Sequence, residues 1–87
     1  MIKVYYVYVL RSINFNRQYV GFTSNIKNRL TQHNTGKTKS TKPYKPWKIL
    51  MYEEYDSKED AIAREKYLKS GVGREFINKK WPRSSTE

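Results

Sequence analysis

The sequence predicts a small α+β domain with elements in the order β-β-α-β-α-α, and three observations carry that prediction. Two runs rich in β-branched and aromatic residues flank a short polar turn, "VYYVYVL" at 4–10 and "RQYVGF" at 17–22. A third such run, "KILMYEEY", occupies residues 48–55. Apolar residues recur at helical spacing in the segments before and after it. Eighty-seven residues suit one domain with a modest core, expected over residues 1–81 with a disordered tail at 82–87.

The first two strands are joined by "RSINFN", whose Ser and Asn form turns readily, and so predict an antiparallel hairpin. A turn centred near Asn14 would set Tyr8 and Tyr19 roughly opposite each other and on one face. Thr23 or Ser24 would cap a helix from about Asn25 to His33, with Asn34 and Gly36 as its stops. On that helix Ile26 and Leu30 make a narrow apolar stripe, and Arg29 and His33 lie one turn apart on its flank. Residues 36–48, "GKTKSTKPYKPWK", read as a basic loop, because two prolines and many small polar residues deny it regular structure. Lys37, Lys39, Lys42 and Lys45, interleaved with Tyr44 and Trp47, suit a phosphate backbone and unstacked bases, although Trp47 fits a core position as well. Ser57 opens a helix over 58–69 with a capping-box pattern to Asp60, and a short helix from about Arg74 to Lys80 ends at Pro82.

Charge is segregated along the chain. Residues 1–52 hold ten Lys and Arg and no acid, whereas residues 53–87 hold eight of each sign, so the first half supplies the whole net charge of +10. Such a field is the footprint of a polyanion-binding surface and predicts a nucleic-acid partner rather than a membrane. The chain has no cysteine, which excludes disulfides and thiolate metal sites. The opening "MIKVYYVYVL" is too short to span a bilayer and lacks a small-residue cleavage site, so a cytoplasmic protein is expected.

One acid is out of place. On the wheel of helix 58–69, Ala61, Ile62 and Leu68 define the apolar face, and Glu65 lies between them. A carboxylate there needs a cation, because its desolvation costs several kcal/mol. That cation is either a neighbouring Lys or Arg or a divalent metal.

Taken together, these residues resemble the GIY-YIG nuclease superfamily over residues 4 to about 78. "YVY" at Tyr6–Tyr8 stands for the first motif and "YVG" at Tyr19–Gly21 for the second, followed by Arg29, His33 and the helical Glu65. The chain is most similar to small stand-alone bacterial members and to the N-terminal nuclease domain found in an excinuclease. The resemblance implies a three-stranded antiparallel sheet flanked by helices. It also implies hydrolysis of DNA phosphodiester bonds, non-specific or structure-guided, in DNA repair or processing, with one Mg²⁺ or Mn²⁺. Glu65 would hold the metal and Arg29 the scissile phosphate. Tyr19 would act as base or orient the water, Tyr8 would be its hydrogen-bonding partner, and His33 would relay a proton. Gly21 and Asn78 would border the substrate. Two departures stand out: the first motif reads Tyr-Val-Tyr rather than Gly-Ile-Tyr, and Phe22 follows Gly21 where some relatives carry a lysine. A catalytically weak basic module for single-stranded DNA or RNA is the alternative reading. A catalytic fragment for a protein partner that supplies substrate targeting is a further reading, kept open because 87 residues leave no room for a separate sequence-reading domain.

Overall fold

The computed structural model of the protein describes residues 3–82. Strands β1 (Tyr5–Ser12) and β2 (Gln18–Thr23) form the hairpin, and helix α1 (Ile26–Asn34) follows. The basic loop contains a single 3₁₀ turn at Lys42–Tyr44, after which come β3 (Trp47–Tyr55), α2 (Lys58–Lys69) and α3 (Gly71–Lys80). The sheet has the order β2-β1-β3, and both pairings are antiparallel. The expected three-stranded sheet flanked by helices is thus the fold.

β1 becomes the central strand because its β-branched and aromatic side chains suit burial on both faces. Its odd-numbered residues Val7 and Val9 pack with Val20 of β2 against Ala61, Leu68 and Ile77 of α2 and α3. The even-numbered Tyr8 and Leu10 pack with Trp47 against Ile26 and Leu30 of α1. Between Val9 and Leu10 the register with β3 slips, so that Val9 opposes Met51 while Leu10 opposes Ile49. The extra residue, Leu50, lets both Leu50 and Met51 join the α2 side.

Asn34, the last residue of α1, ties that helix to the start of β3. Its Oδ1 accepts from the Trp47 backbone N–H at 2.6 Å, and its Nδ2 donates to the Trp47 carbonyl at 3.1 Å. Gly36, at φ +81°, then turns the chain into the loop in a conformation that favours glycine.

Three local expectations need correction. The hairpin turn centres between Asn14 and Phe15, one residue later than a Tyr8–Tyr19 pairing requires, held by Ser12 N–H to the Arg17 carbonyl and Phe15 N–H to Ser12 Oγ. Tyr8 therefore opposes Gly21, and Tyr19 opposes Leu10, so the two tyrosines share a face as diagonal neighbours. The cap of α1 is Asn25, whose side chain accepts from the Asn28 N–H at 3.1 Å; Thr23 instead braces the turn by accepting from the Asn25 N–H. Helix α3 begins at Gly71 rather than near Arg74, because Ser70 closes α2 and caps α3 at once, its hydroxyl accepting from the Gly73 N–H. Gly73 is needed for that tight junction: a Cβ on it would lie 2.1 Å from the Tyr67 carbonyl oxygen. Of the two settings open to Trp47, the core is the one adopted: it is 4% exposed, with its indole N–H donating to the Thr41 carbonyl at 2.9 Å. It offers no stacking surface for a base. The tail expected at 82–87 lies, from residue 83 on, outside the described residues.

Candidate active site

Five side chains from four elements converge beside β2. Tyr8 comes from the central strand, Tyr19 from the edge strand, Arg29 and His33 from α1, and Glu65 from α2. Tyr8 and Tyr19 have ring centroids 6.2 Å apart, and Tyr19 and His33 only 4.8 Å. The Tyr8–Gly21 pairing is what makes room. A Cβ on Gly21 would fall 2.7 Å from the Tyr8 hydroxyl oxygen and 2.9 Å from the Tyr19 ring. Glycine is required here by close approach, and the two motifs meet through it.

A chain of hydrogen bonds fixes the polar groups. The Tyr8 hydroxyl lies 3.1 Å from His33 Nε2, and His33 Nδ1 lies 2.8 Å from Thr41 Oγ1. Thr41 Oγ1 itself donates to the Thr38 carbonyl at 3.3 Å. Having spent its proton there, the Thr41 oxygen accepts from His33, which assigns the proton to Nδ1 and leaves Nε2 as acceptor for Tyr8. His33 and Thr41 are fully enclosed. Burial lowers the His33 pKa below its ordinary 6.5, and the nearby Arg29 charge lowers it further. Burial likewise pushes the Tyr8 phenol up to about 12, against the opposing influence of Arg29; Tyr19 and Glu65 add to the rise. Glu65 is thus close enough for its charge to be felt at Tyr8, although it stands on the helix across the sheet.

Arg29 interacts with the hydroxyls of both tyrosines, and the Tyr8 contact raises its already high pKa. One Nη donates to Gln32 Oε1 at 3.0 Å. Its Nε–H is buried and finds no acceptor among the described residues. A buried donor on a charged group is costly to leave unanswered, and an oxygen of a bound anion is one acceptor that would satisfy it.

Glu65 is largely buried at its side chain (17% exposed) and forms an ion pair with Lys69 at 3.2 Å, one helical turn on. Among the described residues no group of three or more His, Cys, Asp or Glu converges to form a cage for a metal. One carboxylate does not suit Ca²⁺ or Zn²⁺. It does suit Mg²⁺ or Mn²⁺, hard ions that keep several waters and take their remaining oxygens from a substrate phosphate. The donor set therefore fits the implied metal, which Glu65 would hold.

The remaining expected residues lie outside this cluster. Lys37, Lys39, Lys42 and Lys45 are all exposed on the loop that carries Thr41 past His33. Asn78 is exposed on α3 and borders a groove with Gln18 and Arg74 rather than the tyrosines. Sequence reasoning missed Thr41 and Gln32. Thr41 is one of several small polar residues in a lysine-rich loop and carries no spacing signal. Gln32 falls three residues after Arg29, a spacing at which helical neighbours meet. Among the described residues no helix is long and apolar enough to cross a membrane.

Comparison with known proteins places these features in a family. Residues 4–80 match the GIY-YIG catalytic domain. A UPF0213 protein of Limosilactobacillus reuteri is 39% identical over 74 residues, covering 82% of this chain and 76% of its own. A UPF0213 protein of Streptococcus agalactiae is 42% identical over 71 residues, covering 79% and 80%. The solution NMR structure of a UPF0213 protein from Bacillus halodurans superposes with a TM-score of 0.54 at 27% identity, covering 90% of this chain and 85% of that one.

Proposed function

The chain belongs to the GIY-YIG catalytic-domain family, and from that premise we propose that it is a divalent-metal-dependent endonuclease that hydrolyses DNA phosphodiester bonds. Non-specific or structure-guided cutting in DNA repair or processing, in the cytoplasm and with targeting from a protein partner, is the setting that we propose. The observation that carries the reading is Arg29: a partly buried guanidinium joined to two phenols, with a buried donor that no acceptor among the described residues answers.

Each residue has a distinct task. Arg29 binds the scissile phosphate with its planar fork of donors and offsets the charge that builds on the phosphoryl oxygens. A water beside that phosphate gives its proton to the Tyr8 oxygen as the Tyr8 proton passes to His33 Nε2. The phenol itself stays neutral, as its high pKa requires. Thr41 holds the imidazole in the tautomer that leaves Nε2 open. The imidazolium formed lies near Arg29, a cost that the negative phosphate offsets. Tyr19, against the His33 ring and in contact with Arg29, orients the water. Of the two phenols, Tyr8 has the direct route to the histidine. Glu65 would hold a Mg²⁺ or Mn²⁺, which when bound would supply positive charge to the phosphate and to the departing 3′ oxygen. The exposed lysines of the loop hold flanking phosphates.

The test is nicking of supercoiled plasmid with Mg²⁺ or Mn²⁺, beside EDTA, Glu65→Ala, Tyr8→Phe and Tyr19→Phe. Glu65→Ala abolishes cleavage, and Tyr8→Phe lowers the rate by about 10²–10⁴ as loss of an acid–base group does. Full activity in Glu65→Ala would defeat the reading. A second reading, a basic module that binds single-stranded DNA or RNA without cutting, is favoured by the Glu65–Lys69 ion pair, which occupies the carboxylate without a metal. In that case Glu65→Ala binds as tightly as the parent or tighter, and no metal supports nicking.

A further inference from the structure

Two cavities adjoin along the outer edge of β2, where it faces α3. The inner one, about 260 Å³, is bounded by Tyr19, Lys69, Arg74 and Gln18 over a floor that includes Leu68 and Ile77. The outer one, about 300 Å³, is bounded by Asn16, Arg17, Gln18, Arg74 and Asn78. Gln18 and Arg74 line both, so the two form one groove that starts at Tyr19 and leads away toward the base of the hairpin turn.

Its chemistry is one-sided. Lys69, Arg74 and Arg17 contribute cations, Asn16, Gln18 and Asn78 contribute amides, and among the described residues no carboxylate lines either cavity. Gln18 is held in place by Arg11, which donates to its Oε1 from both Nε and Nη2. With that oxygen occupied, the amide presents its NH₂ donor. Arg17 sits 4.9 Å from the centre of the Tyr44 ring, which joins the outer end of the groove to the lysine loop. Each cavity is at or below the lower size limit of small-molecule sites, and the outer one has a polar lining, unlike the apolar pockets such ligands prefer. The groove suits short pieces of a long anionic chain.

We infer that this groove seats the sugar-phosphate backbone of a nucleic-acid strand as it leaves the candidate active site, with Arg74 and Arg17 each contacting a phosphate. The inference rests on the nucleic-acid reading above and adds a second substrate track on the edge of β2. The acid-free first half of the chain supplies Arg17, but Arg74 and Lys69 come from the charge-balanced second half. Net charge along the sequence therefore conceals this track.

Binding of a short single-stranded DNA oligonucleotide is measured by fluorescence anisotropy in EDTA across a salt series, for the full chain and for Arg17→Gln/Arg74→Gln. Loss of two phosphate contacts flattens the slope of log K against log salt by about 1.4, at roughly 0.7 per contact. Arg17→Lys/Arg74→Lys restores it, and Lys58→Gln/Lys66→Gln, which removes the same charge from exposed positions on α2, leaves it unchanged. An unchanged slope in the arginine double variant, or an equal loss in the α2 control, overturns the groove. Plasmid nicking on the same proteins separates this inference from the nuclease reading. Cleavage by the parent with no effect of the double variant on binding defeats the groove alone. A flattened slope without any metal-dependent cleavage keeps the groove and defeats the nuclease.

Discussion

Alternate residues of β1 build the two faces of the sheet, and the faces differ in kind. Val7 and Val9 enter a cluster with Val20, Ala61, Leu68 and Ile77 in which every buried member is apolar. Tyr8 and Leu10 enter a cluster bordered by the polar run of His33, Thr41 and Arg29. The first is held by area and volume, where a substitution is felt in proportion to the methylenes removed. The second is conditional: each polar group is stable only while its partner is in place. One strand thus divides stability and chemistry between its odd and even positions.

Removing volume from the apolar face is the largest expected change in stability. Leu68→Ala, at a fully enclosed position, lowers unfolding free energy by about 2–5 kcal/mol. Denaturant titration measures that loss, while the pH profile of cleavage stays as in the parent. A shifted profile would mean that the faces are not independent. Gly21→Ala acts at the meeting of the two motifs and costs less, about 1–3 kcal/mol for overpacking. Its Cβ displaces Tyr8 and Tyr19, so cleavage falls more than after Leu68→Ala even though stability falls less. In Gly21→Ala/Tyr8→Phe the closest clash is relieved, and the stability losses sum to less than the two singles; strict additivity would mean that the hydroxyl does not set the contact.

Similar in size is Thr41→Val, which strands the buried His33 Nδ1–H and costs about 1–3 kcal/mol, against little for Thr41→Ser. Equal losses in the two variants would remove the case for a tautomer-setting hydrogen bond.

The same division explains what could be read from the sequence. β1 and β2 were legible because their side chains prefer a pleated, half-buried surface, and Arg29 and His33 because helical spacing puts them on one flank. Glu65 was legible as an acid among apolar neighbours. The hairpin register was not. Its turn is set by hydrogen bonds of Ser12, Phe15 and Arg17, and moving the turn centre by one residue moves each partner by two. The shared face of the tyrosines survived that error because the side-chain period of a strand is also two. The bulge at Leu50 and the start of α3 depend on packing between elements, and there the glycines of "GVG" argued locally against a helix that Gly73 makes possible. Thr41 needed the fold, since only the return of the loop brings it to His33.

The finest contrast between the faces lies in pH. His33 has a folded pKa below its ordinary 6.5, so above about 6.5 it is neutral in both states and stability does not respond to it. As pH falls below that value, the unfolded chain takes up a proton that the folded one refuses, and stability drops until pH passes the folded pKa. On the α2 side, burial would raise the Glu53 carboxyl, but hydrogen bonds from Arg64 and Tyr55, together with nearby cations, hold it below its ordinary 4.5. Stability that depends on Glu53 is therefore lost only at lower pH, as pH falls below about 4.5. Between about 4.5 and 6.5, the slope of melting temperature against pH reports His33 in its setting of Tyr8, Tyr19, Arg29 and Thr41. At the alkaline end Tyr8, raised from 10 to about 12, keeps its proton while the unfolded chain releases one, so stability falls as pH rises through that interval. Tyr55, raised by burial and by Glu53, contributes from the opposite side of the sheet. Tyr8→Phe removes the Tyr8 share and leaves that of Tyr55, so the alkaline slope shrinks without vanishing. An unchanged alkaline slope in Tyr8→Phe, with a flat acid window in the parent, would mean that the site face is solvated like a surface, and that the proton route from Tyr8 to His33 has no buried medium to work in.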